Sequence, residues 1–352
     1  MQHNVKQFQT HLLRWFDKHG RKHLPWQENK TPYRVWISEI MLQQTQVNTV
    51  IPYFLRFMQR FPDLISLANA EQDDVLHLWA GLGYYSRARN LHHAAKMIMQ
   101  DFKGQLPDTL DALKQLPGIG ESTAGAILAI AFNQQATILD GNVKRVLARF
   151  HGITDFVNDK LVENKLWELA THYTPKKRVA DYTQAMMDLG ATLCIRGQPN
   201  CEKCPLIKNC IAHEKKITAS LPRKKAARAL PIRTATFIVL KWQESILLQK
   251  RPNKGIWGGL WSLPELEGEP EKSRVQLFCH DQLHLRIHQY QLLETFRHTF
   301  THYHLDIFPV LILVKKKPSR LMEESQQIWY NPHHPETIGL PKPIQSIVRH
   351  LS

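Results

Sequence analysis

The hydrophobic period changes once along this chain, and that change limits what the polypeptide can fold into. From residue 5 to about residue 195, apolar side chains recur every three or four positions, the pattern of amphipathic helices. One start is well marked, with Thr31 as N-cap, Pro32 at the first helical position, and Val35, Trp36, Ile40 and Val47 on a buried side. Further helices are expected over 73–78, 91–100, 124–132, 143–150, 162–172 and 178–194. From residue 234 the period is two, so strands are expected over 234–241, 245–250, 290–296 and 301–314. A terminal helix over 342–351 gathers Ile344, Ile347, Val348 and Leu351. Between the two patterns, 213–233 holds Lys215, Lys216, Arg223, Lys224, Lys225 and Arg228 together with Pro222 and Pro231, and reads as a basic linker. At 352 residues the chain exceeds what one core usually serves. The expected architecture is therefore multidomain: an all-α domain over 1–212, the linker, and an α+β domain over 234–352.

Lys and Arg number 46 against 31 Asp and Glu, a formal charge of +15. Such an excess favours a polyanionic partner through counterion release, with nucleic acid the leading candidate. The linker is then either a solvated connector or a further contact to that polyanion. No apolar run approaches the ~18 residues of a membrane span. The N-terminus lacks the charged, apolar, small-residue succession of a secretory signal, so an intracellular, cytoplasmic protein with no membrane partner is expected.

Four of the five cysteines, Cys194, Cys201, Cys204 and Cys210, fall within 17 residues, separated by six, two and five residues. In an intracellular chain such a cluster points to a metal centre rather than disulfides. Structural zinc usually takes two short pairs, and only Cys201 and Cys204 make one here; an iron–sulfur cubane accepts the wider spacing. Spacing alone leaves both metals open. Arg196, Lys203 and Lys208 lie beside these cysteines and would offer positive charge to phosphates. Cys279 stands apart and reads as a buried or half-buried free thiol.

Leu116-Pro117-Gly118-Ile119-Gly120 joins two helical stretches and leaves backbone amides pointing outward at a helix start, which suits a phosphate oxygen or simply makes a helix–helix turn. Behind it, Ala124, Gly125, Ala126 and Ala129 offer a small-residue packing surface. Two carboxylates sit in contrasting places. Glu39 lies mid-helix, with Val35 and Trp36 a turn before and Leu42 after, where burial would raise its pKa and keep it a neutral acid. Asp140 ends the apolar run 136–139 and precedes Gly141-Asn142-Val143-Lys144, where N-cap amides and the helix dipole would keep it ionised. Either residue alone also reads as an ordinary helix surface or cap. One acid and one carboxylate tuned apart match the splitting of a glycosidic bond through an oxocarbenium-like state.

Leu24-Pro25-Trp26, Trp36-Ile37-Ser38-Glu39-Ile40-Met41-Leu42-Gln43-Gln44-Thr45, Gly81-Leu82-Gly83-Tyr84-Tyr85, Leu139-Asp140-Gly141-Asn142-Val143-Lys144-Arg145 and the cysteine set resemble adenine DNA glycosylases over nearly the whole chain. The resemblance implies a helix-hairpin-helix glycosylase with a [4Fe-4S] module held by the four cysteines. A Nudix-like domain that inspects 8-oxoguanine opposite the adenine would follow. It implies that Glu39 protonates adenine at N7, that Asp140 stabilises the sugar cation, and that Asn142 orients the sugar. Gln44 and Tyr84 would enter the base stack, and Leu24, Trp26 and Leu42 would line the adenine pocket; ordinary core packing is the plainer reading of Trp26, Leu42 and Tyr84. Thr45, Gly118, Gly120, Ser122 and Lys144 would complete the DNA contacts. Phe300, Thr301 and His302 resemble the family's lesion-reading Phe-Ser-His loop, with threonine in place of serine; the plainer reading is an exposed hairpin tip. The acidic residues of 255–269 do not form the metal-binding pattern of active Nudix hydrolases, so pyrophosphatase activity is not expected.

Ser122 separates two related activities. Endonuclease III-like enzymes carry a Schiff-base lysine at that position, and serine cannot form an imine. Base removal without strand cutting, by a monomer acting on A:8-oxoguanine or A:G mispairs, is the expectation. Its rivals are a glycosylase with AP lyase action, for which Lys144 could be invoked, and a non-catalytic mismatch-binding protein.

Overall fold

The computed structural model describes residues 4–223, 229–315 and 326–351. Two compact units result, one of residues 1–69 with 90–226, the other of 70–89 with 227–352. Among the described residues no helix is long and apolar enough to cross a membrane.

Helices come first along the chain: α1 Val5–His19, α2 Pro32–Leu42, α3 Val47–Arg60, α4 Leu64–Ala68, α5 Gln72–Trp79, α6 Ser86–Asp101, α7 Leu110–Gln115, α8 Glu121–Ala131, α9 Gly141–Phe150, α10 Lys160–Tyr173, α11 Val179–Thr192 and α12 Ile211–Glu214. Helix α2 begins as its sequence dictates, since Thr31 Oγ1 accepts the Arg34 N–H at 3.2 Å and Pro32 has no amide to leave unpaired. It ends after Leu42, where Gln44 turns to a left-handed φ of 58°. In the first unit Phe8, Leu12 and Phe16 of α1 share a core with Val146, Leu147 and Phe150 of α9 and with Met186 and Leu189 of α11. Gly125 of α8 is required by a close approach, because a Cβ there would lie 2.0 Å from the Thr137 carbonyl oxygen.

The second unit is a sheet with helices. Its strands are β1 Ile232–Trp242, β2 Ser245–Lys250, β3 Trp261–Ser262, β4 Glu265–Glu267, β5 Gln291–Leu292, β6 Phe296–Thr299, β7 His304–Leu313 and β8 Gln327–Tyr330, with α13 Lys272–Leu283 and α14 Lys342–His350. The order is β3-β2-β1-β7-β5, with β4 beside β1, β6 beside β7 and β8 beside β2; among the described residues only β1 and β7 run parallel. Six consecutive residues of β1 are buried, as befits a central strand covered on both faces. Val275, Cys279 and Leu283 of α13 pack with Ile238, Leu240, Val310 and Ile312. Cys279 is fully buried there, and burial pushes its thiol up to about 12.

Several boundaries differ from the sequence reading. The strand expected over 290–296 is two short pieces, β5 and β6, and the one expected over 301–314 starts only at His304. The cause is a tight turn in which the Phe300 N–H donates to the Tyr303 carbonyl at 2.9 Å. The 213–233 stretch is not wholly connector. Its first residues finish α12, Leu221 accepts a hydrogen bond from Arg149 at 2.9 Å, and Arg223 bridges to Phe156. Lys224, Lys225 and Arg228 lie outside the described residues. Residues 70–89, read with the helical domain from their period, pack instead with the sheet unit.

Candidate active site and cysteine-lined cavity

A cavity of about 790 Å³ opens in the first unit, and Glu39 and Asp140 both line it, together with Leu24, Trp26, Leu42, Gln44, Thr45, Ser122 and Asn142. Glu39 projects from α2 and is half-buried. Burial and, second, the charge of Asp140 push its carboxyl up to about 7. Asp140 is the N-cap of α9, with its Oδ1 accepting from the amides of Asn142 at 3.0 Å and Val143 at 2.8 Å. Its Oδ2 accepts from the Asn142 side-chain amide at 3.1 Å. These donors and the Arg145 charge favour the ionised form, but burial is the larger effect and raises the carboxyl above the usual aspartate range. The donors follow from the N-cap position in sequence, whereas the burial comes from the fold. Donors and the Arg145 charge oppose burial at Asp140, whereas both causes acting on Glu39 raise it.

Asn142 is fixed from both sides. Its Oδ1 accepts from Arg145 Nη2 at 2.8 Å, and its Cβ packs so closely on Gly190 of α11 that a Cβ added there would come within 2.5 Å. Ser122 Oγ accepts the Leu139 N–H at 3.0 Å and so helps hold the segment that delivers Asp140. Lys144, read as a phosphate contact, pairs with Glu163. Trp26 is buried, with its ring 5.5 Å from that of Phe54, so it is both core and cavity wall.

The hairpin residues precede α8. Gly118 has φ 84°, a conformation that side chains rarely adopt, and both Gly118 and Gly120 are exposed. Gln43 Nε2 lies 3.2 Å from the Gly118 carbonyl and from Thr123 Oγ1, tying the end of α2 to the hairpin.

The four cysteines surround a second cavity of about 30 Å³ beneath α9 and α11. All four are half-buried, and the fully buried Arg149 directs Nη1 to Cys194 Sγ at 3.3 Å and to the Ile195 carbonyl at 2.8 Å. Backbone N–H groups of Leu206, Ala212 and His213 donate to the sulfurs of Cys204 and Cys210. Burial is the first cause raising the Cys201, Cys204 and Cys210 thiols, Cys204 to about 12, with repulsion among the sulfurs adding to it. Among the described residues no group of three His, Cys, Asp or Glu is arranged to hold a metal ion. The sulfur donors, buried guanidinium and amide donors nevertheless suit a cationic group that needs several thiolates.

Arg145, which sequence reasoning passed over, connects the two cavities. Its guanidinium donates to the carbonyls of Cys194 at 2.7 Å and Gly190 at 2.6 Å as well as to Asn142. Arg21 and Gln184 also line the large cavity and are held by the buried Asp188, at 2.7 Å and 2.9 Å. Arg145 ends the 139–145 motif, whereas Arg21, in the loop after α1, and Gln184, in α11, carry no local sequence signal.

In the second unit, Tyr84 is exposed with φ 50°. Phe300, Thr301 and His302 form the turn between β6 and β7, where the Phe300 ring lies 5.5 Å from Trp257, 4.6 Å from His298 and 4.7 Å from Tyr303. Thr301 and His302 are exposed.

Residues 37–172 match the family described as HhH-GPD superfamily base excision DNA repair protein, and residues 235–350 match the NUDIX domain family. Fold and site thus define a DNA N-glycosylase of the helix-hairpin-helix class, followed by a Nudix-like domain. A solved thermostable thymine-DNA glycosylase shares the fold at a TM-score of 0.55 and 28% identity, over 60% of this chain and 97% of its own. An adenine DNA glycosylase of Buchnera aphidicola subsp. Acyrthosiphon pisum is 43% identical over 98% of this chain and 97% of the relative. That of Rattus norvegicus is 36% identical over 85% and 69%. The chain belongs to the adenine DNA glycosylase family.

Proposed function

We propose that this protein is a monofunctional base-excision repair enzyme, which hydrolyses the N-glycosidic bond of adenine mispaired with 8-oxoguanine or guanine in duplex DNA. The observation that carries the reading is one cavity walled by two carboxylates in unlike surroundings, Glu39 without a hydrogen-bond donor among the causes of its shift and held near 7, and Asp140 capped by three donors. Glu39 gives its proton to N7 of the extruded adenine, so that the purine leaves neutral. Asp140, on its three donors, steadies the cationic sugar, and Asn142 orients it. Water then completes the cleavage, with Glu39 as its base.

Leu24, Trp26 and Leu42 form the apolar walls for the base. Gln44 and Tyr84 fill the stack it leaves. Both are exposed, non-glycine residues held at positive φ, a strained state that clusters at functional positions. Gly118 and Gly120 present amides to phosphate, and Phe300, Thr301 and His302 read the lesion. Cys194, Cys201, Cys204 and Cys210 hold a [4Fe-4S] cluster, which supplies a structural cross-link for the basic loop 194–210 and no step of the reaction. The protein works as an intracellular monomer.

Strand cutting is disfavoured because Ser122 has no amine and Lys144 is engaged by Glu163. The test is an A:8-oxoguanine duplex treated with and without alkali, with a parallel borohydride trap. Strand breaks that require alkali, and no trapped adduct, support the reading. Efficient trapping would favour a lyase, and an intact duplex after alkali a binding protein.

A further inference from the structure

Residues 70–89 match the repair family in sequence, since its model runs over 37–172, yet they pack in the same unit as the sheet. A few specific contacts put them there. The Asp73 carboxylate in the first turn of α5 meets Lys250 Nζ at 2.9 Å and 3.0 Å and accepts the Trp261 indole N–H at 3.1 Å. Lys250 and Trp261 are register partners across β2 and β3, and the ammonium also lies 5.5 Å from the indole centroid. The three groups make one closed set. His77 Nδ1 reaches the Ile338 carbonyl at 2.9 Å, and Arg89 Nη1 donates to the Gly258 carbonyl at 2.5 Å.

Between these anchors the chain makes the turn that carries Tyr84. Buried Arg87 donates to the Gly83 carbonyl at 3.2 Å and lies 5.5 Å from the Tyr84 ring. The Gly258 loop that receives Arg89 also carries Trp257, whose ring is 5.5 Å from Phe300 and 5.8 Å from His298. A continuous packed path therefore runs from the β6–β7 turn through Trp257 to Arg89, five residues beyond Tyr84.

We propose that Asp73 is a positioning residue for lesion discrimination, its clasp by Lys250 and Trp261 fixing the Tyr84 turn to the sheet that bears the lesion-reading hairpin. The inference rests on the function proposed above. A carboxylate suits the position because it faces an ammonium and an indole N–H together; asparagine keeps an acceptor but loses the charge. Neither Asp73 nor Lys250 needs to touch DNA in this role.

The test uses the full-length protein with Asp73→Asn, Lys250→Met, Tyr84→Ala and the Asp73→Asn/Tyr84→Ala double variant. Single-turnover excision is measured on A:8-oxoguanine and A:G duplexes, with hydrogen exchange of residues 72–89 in the free proteins. Asp73→Asn and Lys250→Met are expected to speed exchange in that segment and to lower the ratio of the two excision rates at least about fivefold. Added to Tyr84→Ala, Asp73→Asn should change the ratio no further, since both act through one side chain. Equal losses on both duplexes, an unchanged ratio despite faster exchange, or unchanged exchange would overturn the proposal. Wild-type protein inert on both duplexes would instead defeat the function itself, which no variant is needed to see.

Discussion

Asp140 and Glu39 line one cavity, and the negative charge of Asp140 adds to burial in holding the Glu39 carboxyl up near 7. The neighbour proposed to stabilise the sugar cation therefore also helps keep the proposed acid protonated. Removing the Asp140 charge would let the Glu39 carboxyl fall.

The pair dictates a pH profile for excision. Asp140 must be ionised and Glu39 must keep its proton, so the single-turnover rate should climb at low pH and fall as pH rises through about 7. Rates measured from pH 5 to 9 should show the fall through about 7, and a plateau extending from 6.5 to 9 would remove Glu39 as the acid.

Glu39→Gln is expected to lower excision by roughly 10²–10⁴-fold while mispair affinity stays nearly unchanged. It should also stabilise the fold at high pH. With a folded pKa raised from 4.5 to about 7, Glu39 favours folding fully below the unfolded value, and that contribution is lost as pH rises through the folded one. Glutamine escapes the loss, on the order of 3 kcal/mol at pH 8 and nothing near pH 4. Urea denaturation at both pH values checks the sign.

Gly190→Ala should reach the active site from behind. The added methyl would meet Asn142 Cβ at 2.5 Å and its backbone at 3.1–3.2 Å, in a place with no slack. A loss of about 1–3 kcal/mol in stability is expected, together with slower excision and little change in DNA affinity. Denaturation and rate measurements on the same preparation separate the two effects.

How much of this was legible beforehand depends on how local the signal is. Thr31-Pro32 announced the start of α2, and Asp140 before Gly141 announced the cap of α9, because capping involves neighbours in sequence. The 245–250 strand was read with its final bounds. What escaped was long-range. Arg145 stands in sequence only as the end of the 139–145 motif, and its partners Cys194 and Gly190 lie more than 40 residues away. Lys144 looked free for phosphate until Glu163 arrived from α10. Residues 70–89 carry a helical period whichever unit they pack against, so periodicity could not assign them. The Asp140 environment was half-read, since amide donors follow from sequence and burial does not.

Cys204→Ser tests the thiol-lined cavity. The substitution is expected to lower iron content and visible absorption, to expose the 194–210 loop to protease, and to weaken DNA binding, because three thiolates hold the proposed cluster less well than four. Wild-type protein that contains zinc in place of iron would refute the assigned cofactor.

The proton from Glu39 needs a receiving nitrogen, and replacing adenine by 7-deazaadenine opposite 8-oxoguanine removes only that atom. At pH 7 the account predicts that the two duplexes bind alike, while adenine is excised and 7-deazaadenine stays attached. Equal excision rates on both would contradict it.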